Sequence, residues 1–338
     1  MSRNSLALIL IPIIVLIAMA VLGRGGIDEQ LVVYCAHDSV YADEILQAFE
    51  RDTGITVVVR YDTEATKSLG LIERILREQA EPECDVLWNN ELLGTLDLAD
   101  RGALAAYRGS GWERMPPAFR DPDGRWVGFG ARMRVLLANT ELIGDADPAA
   151  VFASEPARCA IAKPLYGTTL THYAVLWREL GEAGLKRWHA DTRAAGLREV
   201  DGNGRTKQLV VDGVCAVGLT DTDDSFVAID AGAPVRMQPV RLADGATICI
   251  PNTVAIIAGS RNRAAAERLV DYLVSAQTEL ALAHGRARQV PLGPLPADAD
   301  LPAELAPLVE WAQAGTPLHD LLHARNAVLA WLRAEAGG

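Results

Sequence analysis

Between residues 31 and 101 a short apolar strand is followed by an amphipathic helix three times over. Residues 31–34 read as a compact strand. Residues 41–51 read as a helix, with Ile45, Leu46, Ala48 and Phe49 at helical spacing, Ser39 placed to cap it and Gly54 to end it. Residues 55–61, rich in β-branched side chains, form the second strand. Residues 64–79 form the second helix, with Leu69, Ile72, Ile75 and Leu76 along one side, and 85–88 and 92–101 supply the third pair. Strands joined through helices pair in parallel, and a parallel sheet needs both faces covered. The expected fold class is therefore α/β, with sheets flanked by helices.

The pattern changes near Tyr107. Gly, Pro and Trp gather over 109–126, and 127–138 reads as one long extended segment that leaves the first sheet. Residues 160–164, helices over 171–180 and 184–195, and the apolar stretch 209–217 suggest a second α/β lobe. Residues 246–257 are strand-like again and suit a return crossing. Helices over 264–283 and 303–332 follow, the latter broken around Gly315 and Pro317. The expected organisation is a first lobe begun by 30–130, a second lobe over 131–246, a return segment over 247–290 and C-terminal helices over 291–338. Two crossing strands then act as a hinge beside a cleft.

With 338 residues, 50% of them hydrophobic, the chain can bury cores for two lobes. The net charge of −12 disfavours nonspecific nucleic-acid binding, which rests on lysine and arginine. Neither a phosphate loop, nor zinc-finger spacing, nor a repeat of 20–50 residues is found.

Arg3 precedes an apolar run over 6–22, interrupted only by Pro12. Ala18-Met19-Ala20 has the small residues of a cleavage site, so residues 1–24 read as a signal peptide or a retained membrane anchor; a buried terminal helix is the third reading. Either of the first two places the body in the periplasm or on the outer face of the cytoplasmic membrane. Arg24, on the wrong side for an anchor, favours cleavage. The five cysteines are widely spaced and lie in or beside apolar stretches. Buried thiols are one reading, and one or two disulfides the other.

In open α/β sheets ligands sit beyond the carboxyl ends of the strands. Four polar clusters fall there: His37-Asp38-Ser39, Asp62-Thr63, Asn89-Asn90-Glu91 and Asp221-Thr222-Asp223-Asp224-Ser225. Asp38 and Asp62 could equally cap helices, and His37 could be an ordinary loop histidine. Crowded carboxylates at 221–224 need solvent, a cation or a helix start to offset their repulsion. A fifth segment, Gly167-Thr168-Thr169-Leu170-Thr171-His172, opens a helix, where free amides and hydroxyls suit an anion. Ordinary capping is its alternative. The expected ligand-binding residues are His37, Asp38, Thr63, Asn89, Asn90, Gly167, Thr168, Thr169, Thr171, Asp221, Thr222 and Asp223. His37, Asp221 and Asp223 form the candidate metal set.

The stretches LVVYCAHD at 31–38, FERDTGITVVVRY at 49–61, CDVLWNNE at 84–91 and RWVGFGARMRVLLANT at 125–140 come in a telling order. KPLYGTTLTH at 163–172, VGLTDTDD at 217–224 and PNTVAII at 251–257 continue it. In that order the sequence resembles the extracellular solute-binding proteins of ABC importers, in particular the ferric-iron-type group. The resemblance implies the two-lobed periplasmic-binding-protein fold, type II-like, closing over one small polar solute. It also implies a monomer that docks on a permease dimer driven by a cytoplasmic ATPase. In iron-binding members a histidine, a glutamate and two adjacent tyrosines hold Fe(III), and a helix start holds a companion anion. Here His37 sits one place out of step, Asn90 stands where the glutamate is expected, and the tyrosine pair is replaced within 220–224. Gly167-Thr168-Thr169 keeps the anion segment.

The expected function is thus a non-enzymatic importer receptor, with an anion-bearing organic or phosphonate-like solute ahead of ferric iron with its companion anion. No resident cofactor is expected beyond such a metal. A metal-dependent hydrolase is the alternative of another class, but the sequence has no Gly-x-Ser-x-Gly elbow and no His-Glu-x-x-His pattern.

Overall fold

A computed structural model describes residues 30–37, 39–62 and 69–336. The N-terminal apolar run, Asp38 and Thr63 lie outside the described residues. Ten strands are present among those described: β1 (Gln30–Cys35), β2 (Thr56–Tyr61), β3 (Val86–Asn89), β4 (Leu104–Ala105), β5 (Val127–Asn139), β6 (Cys159–Ala162), β7 (Arg198–Val200), β8 (Val217–Asp221), β9 (Val235–Pro239) and β10 (Cys249–Ile257).

They follow the order β2-β1-β3-β10-β5-β8-β6-β7, with β4 added to β10 and β9 to β5. β1 pairs in parallel with β2 and β3, as strands joined through helices must. β10 then enters antiparallel between β3 and β5. β5 has 13 residues, enough at about 3.3 Å each to serve two sheets. Its first half pairs with β10, and its second half pairs with β8 and β9. β5 and β10 therefore carry the chain between the lobes.

Alternation along β1 sorts its side chains by face. Leu31, Val33 and Cys35 join one apolar cluster with Phe49 and Leu269; Tyr34 joins another with Ile72, Leu87 and Leu96. The second cluster continues into the second lobe through the C-terminal helix Leu322–Ala336, which packs on both Leu93–Asp100 and Gly167–Ala194.

Several expected boundaries move. The two helices expected over 171–180 and 184–195 are present within Gly167–Ala194, the first beginning earlier than expected, and they are separated at Gly181, whose φ of 69° and ψ of 169° are not helical. The apolar stretch from 209 divides. Leu209–Val211 completes the helix Asn203–Val211, Gly213 turns the chain at φ 69°, and β8 begins only at Val217. The expected helix over 264–283 splits into Arg263–Leu273 and Ala276–His284, because the Ser275 hydroxyl accepts from the Thr278 N–H at 3.1 Å and starts a new helix. All five cysteines are buried free thiols, so the disulfide reading gives way. Among the described residues no helix is long and apolar enough to cross a membrane.

Candidate functional site

The site is built from β5 outward. Arg132 and Arg134 are two residues apart on that strand and so share a face. The antiparallel register sets Arg134 opposite Asp221, the last residue of β8. Arg134 Nη1 donates to Asp221 Oδ1 at 2.6 Å, and the two side chains are 0% and 3% exposed. The other carboxylate oxygen, Oδ2, accepts from Thr168 Oγ1 at 2.6 Å and Asn203 Nδ2 at 2.8 Å. Asn203 also donates to Thr168 Oγ1 at 2.8 Å, and Thr169 Oγ1 donates to Asn203 Oδ1 at 3.3 Å. A buried charge needs such compensation, and Asp221 has it on both oxygens.

Asp223 and Asp224 follow in the first turn of the helix Thr222–Asp230. One oxygen from each of Asp221, Asp223 and Asp224 lies within 4.8 Å of the others. Arg132 Nη1 stands 3.3 Å from Asp223 Oδ2, Asp223 Oδ1 accepts from the Asp224 N–H at 3.0 Å, and Thr220 Oγ1 donates to Asp224 Oδ2 at 2.9 Å. Asp221 is thus tied into the lobe by its partners. Asp223 and Asp224 are less enclosed than Asp221, both being half-buried, with a quarter of the Asp223 side chain exposed.

Burial pushes the Asp224 carboxyl up to about 7, and the charges of Asp223 and Asp221 add to it. Burial also raises Asp223, against the pull of Arg132. His172 is pushed down to about 3 by burial and by Arg134, so its ring is neutral. The sign for Asp224 follows from linkage. Between its ordinary value near 4 and its folded value near 7, the folded chain holds a proton that the unfolded chain has released. Its stabilising contribution is present below that window and lost as pH rises through it. The ligand-free protein should therefore lose stability from pH 4 to 7 more steeply than Asp224→Asn. Urea melts of both across that range are the check, and parallel curves would count against this assignment.

The first-lobe candidates are used differently. His37 is buried, stacks on Trp88 at 5.5 Å and takes a contact of 3.1 Å from Gln289 Nε2 to its own Nε2. Asn89 is buried; its Nδ2 donates to Thr95 Oγ1 at 3.2 Å and Glu91 Oε1 at 3.3 Å, while its Oδ1 is buried without a hydrogen-bond partner. Asn90 is buried at the strand end. Glu91 caps the helix Leu93–Asp100, accepting from the N–H groups of Leu93 at 2.5 Å and Gly94 at 2.8 Å.

In the second lobe, Gly167 has φ of 59°, a conformation that favours glycine, and begins its helix. Thr171 is buried, 3.5 Å from the Gly167 carbonyl. The Thr222 hydroxyl accepts from the Met133 N–H at 3.2 Å. Of the expected metal set, Asp221 and Asp223 lie together with Asp224 in one carboxylate cluster, and His37 is not part of that cluster.

Arg132, Arg134 and Asn203 were not legible as site residues. The available signal was two arginines on one face of an otherwise apolar strand, where charges are kept only with partners.

Two sheets meet at the crossing strand β5, β10 returns the chain beside it, and a charged cluster lies at the strand ends of one lobe, which is a two-lobed α/β arrangement. The chain belongs to the bacterial extracellular solute-binding protein family, whose model matches residues 31–284. Iron uptake protein A2 of Synechocystis sp. (strain ATCC 27184 / PCC 6803 / Kazusa) is 25% identical over 254 residues, 69% of this chain and 72% of that protein.

Among solved structures, apo ferric ion-binding protein A of Pasteurella haemolytica aligns with a TM-score of 0.77 at 18% identity, covering 90% of this chain and 97% of that one. Iron-bound HitA of Pseudomonas aeruginosa aligns at 0.74 and 21%, covering 88% and 99%. The fold is that of the ferric-ion-binding proteins, while the segment 217–224 carries aspartates and no tyrosine. The chain is the solute-binding component of an ABC-type importer and acts outside the cytoplasm.

Proposed function

We propose that the cargo is ferric iron, held with a companion anion and handed to a permease dimer powered by a cytoplasmic ATPase. The observation that carries this reading is the meeting of three aspartate oxygens within 4.8 Å, an oxygen-only set suited to a hard cation. Two of these carboxyls are raised by burial and mutual repulsion, and a bound cation would relieve both. Asp223 and Asp224 serve as ligands, and Asp221 holds the loop in place. Arg132 lies against Asp223 and supplies positive charge for the companion anion, and the Gly167–Thr169 helix start adds free amides.

The phosphonate-like organic solute expected from the sequence takes second place, because three crowded carboxylates repel an anion and outnumber the two arginines. The relatives point the same way, since their names refer to iron. His37 and Asn90 would approach from the first lobe, so each lobe alone offers part of the cage and cargo favours closure. The receptor works as a monomer.

Native mass spectrometry and elemental analysis of protein loaded with ferric citrate test this. One iron per chain, retained with a small anion, is expected. A stoichiometric phosphorus-bearing organic molecule without metal, co-purifying in place of iron, would overturn it.

A further inference from the structure

Three chain segments meet at one level between the lobes. β5 passes through Gly130 and Ala131, β10 through Pro251 and Asn252, and a third segment through Gln289 and Val290. Ala131 and Val290 exchange both backbone hydrogen bonds, each 2.8 Å. The β5–β10 register slips between Pro251 and Asn252: Pro251 faces Ala131, but Asn252 faces Phe129. Gly130 is therefore the extra residue of a bulge, where a strand bends and twists. It has φ of 41°, and a Cβ there would meet Gln289 Oε1 at 2.9 Å and Leu282 Cδ1 at 3.0 Å.

The bulge divides the strands by lobe. On one side, Val254 to Ile256 of β10 pair with β3 in the first lobe. On the other, β5 runs on through Arg132 to Arg134, which faces Asp221 of β8 in the second. A rotation at Gly130 thus swings the aspartate cluster relative to the first-lobe loops.

Gly130 is gripped at both backbone groups. Its N–H donates to Glu279 Oε1 at 3.0 Å, and that fully buried carboxylate also accepts from Leu292 N at 2.8 Å, Gly293 N at 3.1 Å and Arg114 Nη1 at 2.7 Å. Its carbonyl accepts from Asn252 Nδ2. Asn252 Nδ2 donates in addition to Gln289 Oε1 at 2.6 Å, and Gln289 Nε2 donates onward to His37 Nε2 at 3.1 Å. Asn252, Gln289 and His37 are all buried. A continuous polar chain therefore runs from the bend to the loop that ends β1.

We infer that Gln289 is a positioning residue that sets the angle between the lobes by coupling the His37 loop to the Gly130 bulge through Asn252. The amide is suited to this, since it accepts from the hinge with its oxygen and donates to the loop with its nitrogen. A rotation at the bulge would re-aim the Gly130 bond to Asn252, and buried polar groups resist being left unpaired. This inference goes beyond the cargo assignment and does not depend on it.

The test uses ligand-free full-length protein with spin labels at Glu73→Cys in the first lobe and Glu182→Cys in the second, read by pulsed electron–electron resonance. The wild-type background should give one dominant interlobe distance. Gln289→Met, similar in length but without the amide, should displace that distance or add a second population. His37→Phe keeps a ring for stacking on Trp88 but loses the hydrogen bond, and should move the distribution in the same direction. It serves as the second variant if Gln289→Met fails to fold. Distributions that superimpose on wild type in a folded variant would overturn the inference, whatever the cargo proves to be.

Discussion

Arg134→Ala should cost about 3–5 kcal/mol of folding stability, the loss expected when one partner of a buried ion pair is removed. Few single changes in this chain should do more. Asp221 would be left as a nearly inaccessible carboxylate, with only the Thr168 hydroxyl and the Asn203 amide to compensate it. Against a total of about 5–15 kcal/mol for an ordinary domain, such a loss approaches unfolding. The companion double variant separates charge from packing. Arg134→Met with Asp221→Asn removes both charges, keeps an amide in reach of Thr168 and Asn203, and should recover a large part of the loss. Urea denaturation with the slope monitored is the measurement. A penalty below about 1 kcal/mol for Arg134→Ala would mean that solvent reaches this pair, contrary to its burial.

Asp223→Asn combined with Asp224→Asn should weaken ferric binding by more than about 100-fold, since even residues one step removed from a metal cost about 10–100-fold when changed. The same double variant should be more stable than wild type without ligand at neutral pH. It removes two carboxyls that the fold pushes upward. Opposed movements, affinity down and stability up, mark a site kept under strain for binding. A variant that loses stability and affinity together would instead mark the aspartates as structural. Competition against citrate, followed by iron absorbance, gives the first quantity, and thermal melts give the second.

The strand–helix alternation from Leu31 onward could be read directly, because its periodicities of two and 3.6 are local properties. The crossing role of β5 was also legible, since its extended pattern over 127–138 runs well past the length of an ordinary strand. What escaped was facing. Asn89 lies beside Asn90 in sequence, yet its amide nitrogen is taken up within the lobe by Glu91 and Thr95. His37 meets a partner 252 positions away, which no local pattern announces. Arg134 and Asp221 are joined only by strand register, and that register depends on how two distant segments align. The crowding of aspartates at 221–224 was visible, but their division into one anchored and two less enclosed carboxylates was not.

The position of β10 has a consequence for how the molecule is made. This strand lies between β3 and β5, yet it is synthesised more than a hundred residues after either. Until it emerges, the first sheet has an unsatisfied edge, and the two halves of the molecule have only one connection. Closure over so long a sequence separation slows folding. A nascent polypeptide in that condition leaves the backbone groups of β3 and β5 that β10 will pair open to water and to other chains.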